Sequence, residues 1–158
     1  AVAVTSMTVG WSSLTFTPDA EAVTELATSW GWRIGEPFTP LLFSILGDVF
    51  VQLDSGGVHW LNTGTGELGL VAADVDAFRA RLATDIADEW FMPALVGQLH
   101  AAGKIPEAGQ CYTYIVLPIF AEGQYSVENL VPVSARDHFG VTGHIHREIA
   151  NAPQGGGA

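Results

Sequence analysis

The stretch VFVQLDSGGVHWLNTGTGELGLV (Val49–Val71) decides the fold. Three apolar runs, Val49–Leu53, Val58–Asn62 and Glu67–Val71, alternate with the short turns Asp54-Ser55-Gly56-Gly57 and Thr63-Gly64-Thr65-Gly66. Turns this short join only antiparallel neighbours, because a parallel pair needs a crossover of a dozen residues or more. The preceding run Leu41–Leu46, cut by Gly47-Asp48, adds a further strand. The segment therefore reads as a meander near residues 41–71, with one face buried and the other partly wet.

Working outward, Thr17-Pro18-Asp19 predicts a helix start with Thr17 capping and Pro18 in the first turn. Val23, Leu26, Ala27 and Trp30 follow at helical spacing, and Gly31 is the expected end. Glu36-Pro37 and Thr39-Pro40 bracket a loop. Beyond the meander, Asp74 caps a helix with Val75, Phe78, Leu82 and Ile86 on one face. Met92-Pro93-Ala94 opens another, which carries Leu95, Val96 and Leu99 and stops near Gly103. Gln110–Leu117 reads as a buried strand, with strand pieces at 124–127 and 130–133. Ser134–His138 reads as a helical turn, and Gly143 begins the last helix. Residues 1–16 form an irregular arm or a short strand, and 154–158 a flexible Gly-rich tail. The expectation is one α+β domain over 1–153: an antiparallel sheet, from the meander near 41–71 and strands near 110–133, flanked by helices.

The 158 residues carry 17 acids and 6 Lys or Arg, a formal net charge of −11. Residues 1–78 hold nine of the acids and one base, Arg33. Binding a phosphate backbone requires Lys and Arg to displace counterions. Nucleic acid and anionic membrane surfaces are therefore excluded as expected partners, whereas acidity would steer the approach of a basic protein. No run of 18 apolar residues offers a membrane span. The single cysteine, Cys111, allows no intrachain disulfide and fits a reducing compartment; within its apolar run it reads as an inert core thiol. The first residues lack the basic start of a secretory signal.

Chemistry-bearing motifs are sparse. His138, His144 and His146 form the one histidine cluster. On a helix, residues 144 and 146 diverge by about 200° and would not chelate one ion. Asp88-Glu89 beside Trp90-Phe91 could form a desolvated general acid, but acids before Pro93 more simply favour the next helix start. Asp48, Asp54, Glu67 and Glu122 lie at turns or strand ends, without the dense oxygens of a calcium loop. Nucleophile-elbow, P-loop and dinucleotide fingerprints are absent from the sequence. Of the five tryptophans, Trp32 and Trp60 come nearest to exposed positions, and core is still the expected place for each.

Several of these runs resemble one family. They are Gly47-Asp48-Val49-Phe50, His59-Trp60-Leu61-Asn62-Thr63-Gly64-Thr65-Gly66-Glu67-Leu68, Asp88-Glu89-Trp90-Phe91, Gly109-Gln110-Cys111-Tyr112, Leu117-Pro118-Ile119-Phe120-Ala121-Glu122-Gly123 and His138-Phe139-Gly140-Val141-Thr142-Gly143-His144-Ile145-His146. In order and spacing, over about residues 40–150, they resemble the C-terminal domain of type VI secretion DNase-immunity proteins. The resemblance implies a cytoplasmic, non-enzymatic protein that neutralises a cognate toxin by occluding its active surface, with no cofactor and no catalytic residue to transfer. In the best-known relatives the toxin is a DNase and a second, N-terminal domain precedes this one, which this chain is expected to lack. The toxin partner would carry a basic active-site surface, and Asp48, Asp54, Trp60, Glu67 and Glu122 are the candidate contacts. The alternative is a small-molecule or metal-dependent enzyme built on His138, His144, His146 and nearby carboxylates.

Overall fold

Gly56 and Gly57 adopt φ of 107° and 84° and turn strand β3 (Val49–Leu53) back onto β4 (Val58–Leu61). The register pairs Val49 with Leu61, Phe50 with Trp60, Val51 with His59 and Gln52 with Val58. Side chains alternate across a strand. Phe50, Val58 and Trp60 therefore share one face, and Val49, Val51, Leu53 and Leu61 the other. In the computed structural model, which describes residues 10–152, five antiparallel strands stand in the order β1-β2-β3-β4-β5. The other members are β1 (Thr15–Phe16), β2 (Phe38–Ser44) and β5 (Leu68–Ala72). The fold is α+β, and the expected meander is present. The expectations for residues 1–9 and for the 154–158 tail lie outside the described residues.

Pro40 was expected in a loop but lies inside β2, where the register shifts between Pro40 and Leu42. A proline is tolerated there because β1 covers only the far end of β2, pairing with Phe43 and Ser44, so Pro40 needs no outward donor. The strands near 110–133 do not extend the meander. They are β6 (Gln110–Tyr114) and β7 (Leu130–Ser134), a separate antiparallel pair. Tyr112 N–H donates to Ile45 O at 2.8 Å and moors that pair to the end of β2.

Helices cover both faces of the five-stranded sheet. On the Phe50 face lie α3 (Val75–Leu82), α4 (Ile86–Phe91) and α5 (Pro93–Ala101). They bury Phe78, Trp90, Phe91, Leu95, Val96 and Leu99 around Phe50. Asp74 caps α3 by accepting from Ala77 N–H. Ile86 was expected on that helix but opens α4. Between α4 and α5, Met92 takes the left-handed region (φ 47°), since Pro93 bars it from continuing a right-handed helix.

On the opposite face, α2 (Ala20–Ile34) and α6 (Ala135–Asn151) pack against Val49, Val51, Leu53 and Leu61 through Leu26, Trp30 and Phe139. Asp19, not Thr17, caps α2, accepting from Ala22 N–H at 2.9 Å. The helix runs through Gly31 to a left-handed Gly35, because burying Ile34 outweighs the roughly 1 kcal/mol cost of an interior glycine. The last helix likewise starts earlier than expected. Ser134 caps it through Asp137 N–H, so 134–138 and 143–151 are one continuous helix. A short helix, α1 (Trp11–Leu14), precedes β1.

Two glycines inside α6 differ sharply. A Cβ at Gly143 would lie 2.5 Å from Ser29 O on α2, whereas one at Gly140 meets only the Glu25 side chain at 3.5 Å. Gly143→Ala is expected to push α2 and α6 apart and cost about 1–3 kcal/mol, lowering Tm by several degrees. Gly140→Ala should be neutral or stabilising, by up to about 1 kcal/mol. Thermal unfolding of the two variants side by side checks both signs.

Candidate functional site

Three of the polar residues that the sequence singled out, Asp48, His138 and His146, converge inside the protein. Asp48, at the entrance to β3, is only 4% exposed. Its Oδ1 accepts from Thr63 N–H at 2.9 Å, and its Oδ2 accepts from Trp60 Nε1 at 3.3 Å. Thr63 Oγ1 lies 2.9 Å from Gly47 O and 3.2 Å from Asp48 Oδ1, so its one proton serves one of these acceptors. His138, on α6, reaches the same knot. Its Nε2 is 3.0 Å from Gly47 O and 2.9 Å from Thr63 Oγ1, and its Nδ1 is 2.8 Å from Thr113 Oγ1 on β6. A carbonyl can only accept, so Nε2 carries the proton and Nδ1 accepts from the Thr113 hydroxyl. Gly47 is required at this approach: with φ 92°, a Cβ there would sit 2.2 Å from His138 Nε2.

Two turns further along α6, His146 Nε2 donates to Thr63 O at 2.9 Å. Its ring lies 5.3 Å from that of Trp30. His144 points outward and is exposed. The helix thus turns His138 and His146 inward onto backbone carbonyls and His144 away. Among the described residues no group of three or more His, Cys, Asp or Glu is placed to hold a metal ion. The groove that reaches His146, with Trp32, Arg33, Thr65, Gly66 and Ile119 on its walls, has no carboxylate lining it. His138 and Asp48 meet only through Thr63 inside the protein, and His144 stands apart from both.

Burial raises the Asp48 carboxyl from 3.8 to about 7, the hydrogen bonds from Thr63 and Trp60 only partly opposing it. Burial lowers His138 from 6.5 to about 4, against the opposing bond to Gly47. Burial also drives the Cys111 thiol up, consistent with an inert core position.

The five candidate contacts do not form one surface. Asp48 is withdrawn into the knot. Trp60 is half-buried, stacked on Phe50 and tied to Asp48. Asp54 is exposed at the far end of β3, about 20 Å from Asp48 at the strand's rise per residue. Glu67 and Glu122 are both exposed. The turn before Glu67 touches the loop of Glu122, where Ile119 N–H donates to Gly64 O at 3.2 Å. Asp88 and Glu89 are solvated on α4, while Trp90 and Phe91 are core. Trp11 is the tryptophan most exposed, ahead of Trp32 and Trp60.

Sequence reasoning missed the apolar residues of the loop between β6 and β7. Ile115 is 64% exposed, Phe120 45%, Ile119 41% and Tyr125 40%. The loop is nonetheless tightly held. Asn129 Nδ2 donates to Val116 O and Gln124 O, and its Oδ1 accepts from Val116 N–H. Pro118 packs on Gly64, where a Cβ would lie 2.9 Å from its ring, and Tyr125 stands edge-on to Tyr114. The expected buried strand over Gln110–Leu117 ends at Tyr114, and nothing in the apolar run itself announces that Ile115 is exposed.

The buried pair sets opposing pH dependences. Between about pH 4 and 7, the folded Asp48 keeps a proton that the unfolded carboxyl has lost, so its contribution falls as pH rises. Between about pH 4 and 6.5, the folded His138 lacks a proton that the unfolded ring holds, so its contribution rises with pH. The two largely cancel in the unmodified protein. Asp48→Asn should expose a stability that rises with pH by up to about 1.4 kcal/mol per unit, and His138→Gln one that falls. Urea unfolding midpoints from pH 4.5 to 6.5 measure both slopes.

No curated protein matches the chain. Residues 72–146, from the last residue of β5 to His146 and including the whole loop between β6 and β7, match the family described as T6SS immunity protein Tdi1, C-terminal, the type VI secretion immunity family that the motifs resemble.

Proposed function

We propose that the chain is a non-enzymatic immunity protein that binds a cognate type VI secretion toxin and occludes its active surface. The observation that carries this reading is the match of residues 72–146 to an immunity family. The interior geometry is consistent with it. His138, His146 and Asp48 spend their hydrogen bonds on the fold, which leaves them unavailable to a substrate. The formal charge of −11 favours a basic toxin surface, and a nuclease cleft, built to hold phosphate, has that character. No helix among the described residues is long and apolar enough to cross a membrane. A cytoplasmic site of action, where a delivered toxin would be met, fits this reading.

Co-expression with a nuclease-like effector sought among the genes beside its own tests it. The chain should restore growth and co-purify with the effector. Their association rate at about 0.05 M NaCl should exceed that at 0.5 M by roughly tenfold or more. Growth rescue without a complex would overturn occlusion, and a rate indifferent to salt would overturn the basic surface.

A further inference from the structure

We infer that the loop of residues 115–125, with the groove beside Tyr125, is the face that docks a cationic, apolar-anchored surface of the toxin. The inference rests on the immunity reading and deepens it by naming the contact face. Three independent features converge there. The first is apolar exposure: of eight large exposed apolar side chains among the described residues, Ile115, Ile119, Phe120 and Tyr125 fall in this one loop. Exposed apolar residues scattered over a surface need no explanation, but half of these lie within eleven residues of one loop, Ile119 on the groove toward His146 and Tyr125 on the groove toward Met92.

The second is rigidity. The side chain of Asn129 clamps the loop at Val116 and Gln124, and Ile119 N–H bonds to Gly64 O. Gly123 approaches Leu117 so closely that a Cβ would meet the Leu117 carbonyl oxygen at 2.0 Å. A loop that needed only to connect β6 to β7 could bury or drop these side chains. Here the backbone holds them outward in a fixed shape, which lowers the ordering cost of binding.

The third is charge. A groove of about 480 Å³ runs beside Tyr125, walled by Met92, Pro93 and Leu95 and rimmed by Asp88 and Glu89, with no basic residue on its lining. Glu122 lies in the loop itself. Lys104, Arg33 and Arg81 are nearby cations, and each is engaged with backbone oxygens: Lys104 with Val127 O and Leu130 O, Arg33 with Gly66 O, and Arg81 with Val71 O, its guanidinium lying over Trp90. An acid-rimmed apolar face on a chain of charge −11 disfavours a second copy of itself and suits a basic partner.

Binding of the purified neighbouring effector to single-site variants tests the assignment, with Tm confirming that each variant folds. Phe120→Ser should raise Kd by about 30-fold or more, as expected for a central apolar anchor. Asp88→Lys with Glu89→Lys should slow association about tenfold at 50 mM NaCl, the difference closing near 0.5 M. Leu70→Ser, an exposed apolar change on the β5 edge, should leave binding unchanged. The face is wrong if both loop-side variants bind like the unmodified protein while Leu70→Ser weakens the complex. It is also wrong if the unmodified protein is a dimer that Phe120→Ser dissolves. Failure of the unmodified protein to bind at all removes the immunity reading, and the face with it.

Discussion

The fold depends on a buried polar knot of Asp48, Thr63 and His138. Four separate pieces of chain meet there: the turn into β3, the turn after β4, strand β6 through Thr113, and helix α6. Polar groups taken out of water are costly unless every one finds a partner, and in this knot they do. The arrangement therefore works as a register pin. A slip of one residue in β3 or β4 would leave a carboxylate or an imidazole unpaired in the interior, at a cost of several kcal/mol. Apolar packing alone would allow small displacements of α6 over the sheet, while these directional bonds single out one docking.

Helix α6 gains its purpose from that docking. Its inward histidines are two turns apart, so one holds the Gly47 carbonyl and the other the Thr63 carbonyl. Between them the helix lies against α2 closely enough that Gly143 has no room for a methyl group. With the turn at 62–67 held in this way, Gly64 becomes a fixed platform for Pro118 and an acceptor for Ile119 N–H. The interior network is thus coupled to the surface loop by a short series of contacts, from helix to turn to loop. A protein that functions by shape complementarity benefits from such coupling, because each fixed loop residue is one less to order on binding.

Much of the fold was legible in the sequence, because it depends on local signals. The strands and turns of Val49–Val71 follow from alternating apolar runs and two glycine pairs; the Asp74 cap and the Pro93 start follow from short-range backbone chemistry. Misread boundaries came where distant packing overrode a local rule. Gly31 and Gly143 look like helix ends in isolation, yet Trp30 and Ile34 bury on one side and α2 presses on the other. Pro40 reads as a loop until β1 is seen to leave that stretch of β2 without a neighbour on its outer edge. Asn129, which shapes the exposed loop, gave no sequence signal, since its partners lie five and thirteen residues away in irregular chain.

Composition and local pattern by themselves determined the class of this protein: an acidic α+β chain with an antiparallel meander, whose motifs resemble an immunity family. Which of its acids face the solvent was decided only in three dimensions. Asp48 and Glu67 look alike in the sequence, each beside a glycine at a turn. One is buried against Thr63, Trp60 and the core, and the other stands in water. The reason is physical: charge is a property of a residue type, but burial is a property of everything folded around it.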